Sequence, residues 1–187
     1  MGQIRVSKRF ATVLALAAII VLSRIFPHPP NFTATIACIL FGAAYLQTRW
    51  GWIVLLSAYW LGDLAINNLI YPSGMGFTWF TPGVIQLLVA YLLVFANAHW
   101  LLAKGAQPLQ ILKGAFSSSV VFFLVSNLAV WAGGSMYPQT AEGLLSCYVA
   151  ALPFFGNELA GTVFYSSVIF GLYWLSSPDW NATISKG

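Results

Sequence analysis

The sequence predicts an all-α fold: an integral membrane bundle of six transmembrane helices, one domain spanning residues 1–187. Three observations carry that prediction. Of the 187 residues, 59% are hydrophobic and only 6% are charged, against about a quarter charged in a soluble domain. Too little charge is present to coat a water-facing surface. Six apolar runs approach or reach the roughly 20 residues that a membrane crossing takes. The basic residues gather at segment ends, where they report orientation. The net charge of +4 therefore does not argue for a nucleic-acid partner.

The first helix is expected at about 9–26. Its basic start and apolar run look like a signal peptide, but Arg24 and Pro27 follow without a small-residue cleavage site. It reads as a retained helix. The stretch PHPPNFTA (27–34) then supplies three prolines, His28 and Asn31. Hydrocarbon does not tolerate such sequence, so it belongs at a membrane face, with Asn31 capping a short second helix at about 32–47. A tight connection, Gln47-Thr48-Arg49-Trp50, leads to the third helix, about 51–70. The fourth is expected at 83–103, the fifth at 110–132 and the sixth at 155–176. A short extra helix at about 140–151 opens on Thr140 and Glu142 and is expected to end at Pro153.

With the N-terminus in the cytoplasm, Arg5, Lys8, Arg9, Arg49, Lys104, Lys113 and Lys186 fall inside and only Arg24 falls outside. This positive-inside bias places both termini in the cytoplasm and the protein in a bacterial cytoplasmic (inner) membrane. The loops at 27–31, 71–82 and 133–153 then face outward. They are rich in Gly, Pro and aromatic residues, whereas the inner loops are short and basic. Elaborate outer loops point to work at the outer face, although aromatics also mark the membrane interface.

Polar groups within apolar helices are costly and are candidates for function. Asp63 lies toward the outer end of the third helix, with Asn67 at i+4 on the same face. Gln86 opens the fourth helix, Asn127 lies at outer depth in the fifth, and Asn157 and Glu158 open the sixth. Arg24 and His28 mark the outer end of the first. Together they suggest an outward-facing ligand cavity roofed by aromatic loops. The competing reading is structural: Arg24 pairs with Asp63 or Glu158, and the asparagines bond between helices. Asn97 and His99, at the inner half of the fourth helix, read as interfacial or packing groups. Ala11 and Ala15 form a small-xxx-small pair that permits close helix contact, with a partner or internally.

Catalytic signatures are absent: no HExxH, GxSxG, Walker A or GxGxxG motif occurs, and Ser117-Ser118-Ser119 lacks an evident base. The expectation is that the protein is not an enzyme and carries no cofactor. Cys38 and Cys147 form no CxxC pair, so no metal site is expected from them. Proton-coupled transport through Asp63 or Glu158 is a further option, weakened by the lack of paired half-repeats.

The stretches HPPNFTATIACILFGAAYL, SAYWLGDLAI, FFLVSNLAVWAGGSMYP and GLLSCYVAALPFFGNELAG resemble a family of small bacterial membrane proteins. That family is related to the substrate-binding S components of energy-coupling factor (ECF) vitamin transporters. The resemblance spans roughly residues 9–175. It implies six helices with cytoplasmic termini and a vitamin-like ligand or metal ion held by the outer loops and helix ends. It also implies that Ala11 and Ala15 dock a transmembrane coupling subunit driven by ATPases. Some relatives act alone, with a cysteine ligating cobalt; Cys147 is on the outer side and testable for that role, but an isolated cysteine is more often a small packing residue. The family's usual aspartate after the PFF segment is absent, and Glu158 is the nearest acid. The expected function is therefore capture and uptake of a small ligand from outside. The alternative is a structural or assembly subunit of a larger membrane complex, and an intramembrane enzyme comes third.

Overall fold

The computed structural model describes residues 2–46, 49–72, 76–102 and 105–176, with the side chains of 2–9 and 49–51 excepted. These residues form helices and their connections, with no strand among them. In chain order the helices are α1 (Gly2–Ile25), α2 (Thr35–Phe41), α3 (Arg49–Ala65), α4 (Val84–Leu102), α5 (Pro108–Gly133) and α6 (Ala141–Ser176). A π-helical turn, Gly42–Leu46, continues α2, and another, Ile66–Ile70, continues α3. Four stretches are long and apolar enough to cross a membrane: Trp52–Ile70, Val84–Leu102, Pro108–Gly133 and Ala141–Ser176.

α2 is shorter than the second helix expected at 32–47. With its π turn it covers Thr35–Leu46, under about 20 Å of rise. Every residue of Thr35–Phe41 is buried. The Thr35–Leu46 run is short of the roughly 20 residues a crossing usually takes, and the other helices pack around it. Cys38, Leu40 and Phe41 are among its fully buried side chains. Phe41 meets Phe170 and Tyr173 edge-on, at 5.2 Å in each case. Trp174 Nε1 donates to the Tyr45 hydroxyl at 3.2 Å. This aromatic knot ties α2 and its π turn to α6.

Asn31 does not cap α2. It turns the chain, with φ at 66°, a left-handed conformation that asparagine tolerates better than most residues. Phe32 N donates to Pro29 O at 3.0 Å across this turn. The helix start is held from another element: Ala34 N donates to Ser23 Oγ of α1 at 3.1 Å. A side chain from α1 thereby satisfies a buried backbone donor.

The expected short helix at 140–151 and sixth helix at 155–176 are one helix, α6, running 36 residues through Pro153. Thr140 caps its start, its Oγ1 accepting from Gly143 N at 3.2 Å, as the sequence suggests. Proline removes one backbone bond and normally breaks a helix in water. Pro153 is exposed on α6, and helices in apolar surroundings carry internal prolines more readily. α5 begins two residues earlier than expected, because Pro108 occupies the first turn. There Gln107 N donates to Gln110 Oε1 at 3.1 Å, half of a reciprocal cap.

α6 approaches the 26–34 connection very closely. A Cβ on Gly161 would lie 3.1 Å from both Phe32 Cα and Thr33 N. Both are backbone atoms, so only glycine fits without displacement. The Gln47–Thr48 connection, Lys104 and Lys186 lie outside the described residues, as do the side chains of Arg5, Lys8, Arg9 and Arg49.

Candidate functional site

A cavity of about 450 Å³ opens at the end of the bundle that carries the 26–34 and 71–83 connections. Its walls combine residues of α1, the first connection, α2, α3, the second connection, α4, α5 and α6. Its size falls within the usual range for small-molecule sites. Two polar clusters and an aromatic surface line it.

The first cluster is built on α3. Asp63 is buried and pairs with Arg24 of α1, Nη2 of the arginine meeting Oδ1. Its second oxygen, Oδ2, accepts from Thr81 Oγ1 at 2.7 Å. Thr81 accepts in turn from Asn67 Nδ2 at 2.8 Å. The bonds thus converge on one carboxylate and satisfy both of its oxygens. The arginine reaches it by crossing Gly62, where a Cβ would lie 3.1 Å from Arg24 Nε. Its guanidinium carbon stands 4.1 Å from the centre of the Tyr59 ring, a cation–π arrangement.

The π turn at Ile66–Ile70 serves the same cluster. It carries Asn68, which bonds the second connection twice: its Nδ2 donates to Thr78 O at 2.9 Å, and Thr78 N donates to its Oδ1 at 2.7 Å. Trp60 Nε1 adds a bond to Trp79 O at 3.0 Å. The segment holding Thr81 is thereby strapped onto α3, and Thr81 is delivered to Asp63. π turns recur at functional sites because they redirect side chains that a regular helix would aim elsewhere.

The second cluster is built on α5 and α6. Glu158 is 7% exposed. Its Oε1 accepts from Thr162 Oγ1 at 2.7 Å and from Ser119 Oγ at 3.2 Å. Its Oε2 is buried with no hydrogen-bond partner among the described residues. On α5, Asn127 Nδ2 donates to Phe123 O at 2.8 Å and Ser126 Oγ to Phe122 O at 2.6 Å. Between the clusters, Tyr59 meets Tyr91 edge-on at 5.0 Å, and Tyr91 stacks on Phe122 at 5.0 Å. Phe123 and Phe155 complete the wall at 4.9 Å.

Of the residues singled out in the sequence, Arg24, Asp63, Asn67, Asn127 and Glu158 line this cavity. Three do not. His28 bonds locally, its Nδ1 lying 2.7 Å from Pro29 O. Gln86 is exposed at the start of α4, and Asn157 is half-buried on α6. Asn31, Thr33 and Thr35 do line it, so the proline-rich connection forms part of the rim. The sequence does not single out Thr81, Thr162 or the aromatic wall, and names Ser119 only within a serine run without an evident base. Each belongs to a residue type common in apolar helices and loops, and only the tertiary contacts distinguish them.

The remaining candidates fall elsewhere. Cys147 is buried, with its thiol 3.5 Å from Asn127 O. Asn97 donates to Ser117 Oγ at 2.8 Å and Ser118 Oγ at 3.0 Å, joining α4 to α5. His99 is exposed, its ring 5.7 Å from that of Phe95. Ala11 and Ala15 are both exposed on α1, on the side away from Val13, Leu16 and Ile20; they do not pack internally. No group of three or more His, Cys, Asp or Glu that could hold a metal ion occurs among the described residues.

Fold and site together define a helical bundle, with four helices among the described residues long and apolar enough to cross a membrane, and a polar, aromatic-walled cavity at one end. The chain belongs to a family of unknown function, DUF6580, whose model matches residues 5–183. No curated protein and no solved structure matches it.

Proposed function

We propose that the protein is a membrane-embedded binding and uptake protein that captures a small ligand from the outer side, in the manner of an ECF-transporter S component. The observation that carries this reading is the cavity. Connections and helices from most of the chain contribute to it, and its mix of aromatic surface with a few placed polar groups is the usual make-up of a ligand pocket. In this reading the chain crosses a bacterial inner membrane six times, with α2 sheathed by the other helices and both termini cytoplasmic. The basic residues at the inner segment ends support that orientation. Ala11 and Ala15, exposed on α1, are available to a coupling subunit.

A second reading, a structural or assembly subunit, is favoured by the first cluster alone. Asp63 has a donor on each oxygen, from Arg24 and from Thr81, and Thr81 accepts in turn from Asn67, as side chains do when they only hold helices together. Native mass spectrometry of the protein, purified gently from its own membrane, separates the two. The uptake reading expects a bound small molecule that is lost on Asn127→Ala. A stable set of protein partners with no small molecule would overturn it in favour of the subunit.

A further inference from the structure

The two acids of the cavity are in opposite conditions. The charge of Asp63 is met by Arg24, and its oxygens have donors. Glu158 has hydroxyl donors on one oxygen only. Its other oxygen is buried without a partner among the described residues, and no cation lies within ion-pair reach of it among them. The ionisable groups lining the cavity are Arg24, Asp63, Glu158 and the phenols Tyr59 and Tyr91. Once Arg24 and Asp63 are counted against each other, one acid is left over. Leaving a buried acceptor unsatisfied costs free energy that a bound donor would return.

The surroundings of Glu158 add a second, independent requirement. Phe122, Phe123, Phe154 and Phe155 line the same cavity, and aromatic faces attract cations electrostatically. An acid without a counter-charge beside phenylalanine rings is matched by a nitrogen cation on a compact apolar body. We infer that the ligand is a small organic cation bearing an N–H donor, which gives a charge-assisted hydrogen bond to Glu158 Oε2 while its body rests on the phenylalanine wall. The inference builds on the reading of the cavity as a ligand site and names the class of molecule it takes. Glu158 is its recognition group, and Arg24 with Asp63 is the neutral opposite wall.

Three probes of nearly one shape test it: benzamidine, a flat aromatic cation; benzamide, its neutral counterpart; and benzoate, the anion. Their affinities for the purified full chain are ranked by calorimetry or by ligand-observed NMR. The expected result is benzamidine at least about tenfold tighter than either of the others, as a charge-assisted bond warrants. In Glu158→Gln, which keeps an acceptor for Ser119 and Thr162, that advantage disappears while benzamide is unchanged. The wild-type ranking needs no variant, so it decides the matter even if Glu158→Gln fails to fold. Equal binding of the three, preference for benzoate, binding of none, or an unaltered preference in Glu158→Gln would each overturn the inference. A co-purified molecule that is neutral or anionic would overturn it while leaving the ligand site standing. A chain with neither co-purified molecule nor probe binding loses both.

Discussion

Two polar clusters in one cavity handle the same problem differently. On the α3 side, Asp63 is enclosed by donors from three parts of the chain: Arg24 on α1, Thr81 on the second connection and, through Thr81, Asn67 on the π turn. On the α6 side, Glu158 has donors from its own helix and from α5 on one oxygen only. The first arrangement ties α1, α3 and the strapped connection into one frame. The second leaves binding capacity unused. A bundle that needed both acids only for assembly would be expected to satisfy both. The contrast teaches that burial of an acid does not by itself indicate a role; the state of its second oxygen does.

Substitutions sharpen or break this contrast. The largest effect is expected on the satisfied side. Arg24→Leu leaves the Asp63 carboxylate buried without its counter-charge, which should destabilise the fold by about 3 kcal/mol. Thermal unfolding in detergent measures it, and the double variant Arg24→Leu/Asp63→Leu should recover most of the loss. If the single variant unfolds like wild type, the pair is not the frame described here. Next comes Gly161→Ala. Its new Cβ meets backbone at 3.1 Å, so α6 or the 26–34 connection must move, at a cost of about 2 kcal/mol. Wild-type stability in that variant would mean that the close approach is slack.

Smaller effects are expected further along the list. Asn97→Ala removes the link from α4 to Ser117 and Ser118 in the opposite half of the bundle. A loss of about 1 kcal/mol is expected, with ligand occupancy unchanged, since Asn97 does not line the cavity. A marked loss of occupancy would show that the two halves are coupled. Smallest of all should be the stability change in Glu158→Gln, within about 1 kcal/mol of wild type, because an acceptor for Ser119 and Thr162 remains. A loss as large as that of Arg24→Leu would make Glu158 another framework acid and erase the contrast.

Much of this arrangement is legible in the sequence, and the misses have physical causes. The apolar runs and their polar interruptions locate α1, α3, α4 and α5, and i+4 spacing places Asp63 and Asn67 together. Their shared partner Thr81 is invisible, because a threonine beside Pro82 carries no signal until the loop folds back. Pro153 misleads because the rule that proline ends helices comes from water, where an unpaired carbonyl finds other partners. In apolar surroundings the helix is retained, and so the cavity is lined from both sides of that proline, by Ala151 and by Phe154, Phe155 and Glu158. α2 is shorter than expected, and hydropathy alone cannot separate an element buried in protein from one buried in lipid. Only its length, 12 residues with the π turn, distinguishes them. Asn31 looks like a cap but serves as a turn residue, since Ser23 of α1 already meets the nearby backbone donor.

In the proposed function the cavity opens to the outer face and receives a ligand there. Its most direct test is the labelling of Ser126→Cys in intact cells with a membrane-impermeant thiol reagent. Ser126 lines the cavity, while the native Cys38 and Cys147 are buried and provide an unlabelled background. Modification from outside is expected, slowed when the cavity is occupied. A thiol at position 126 that reacts only after the cells are opened, or not at all, would contradict it.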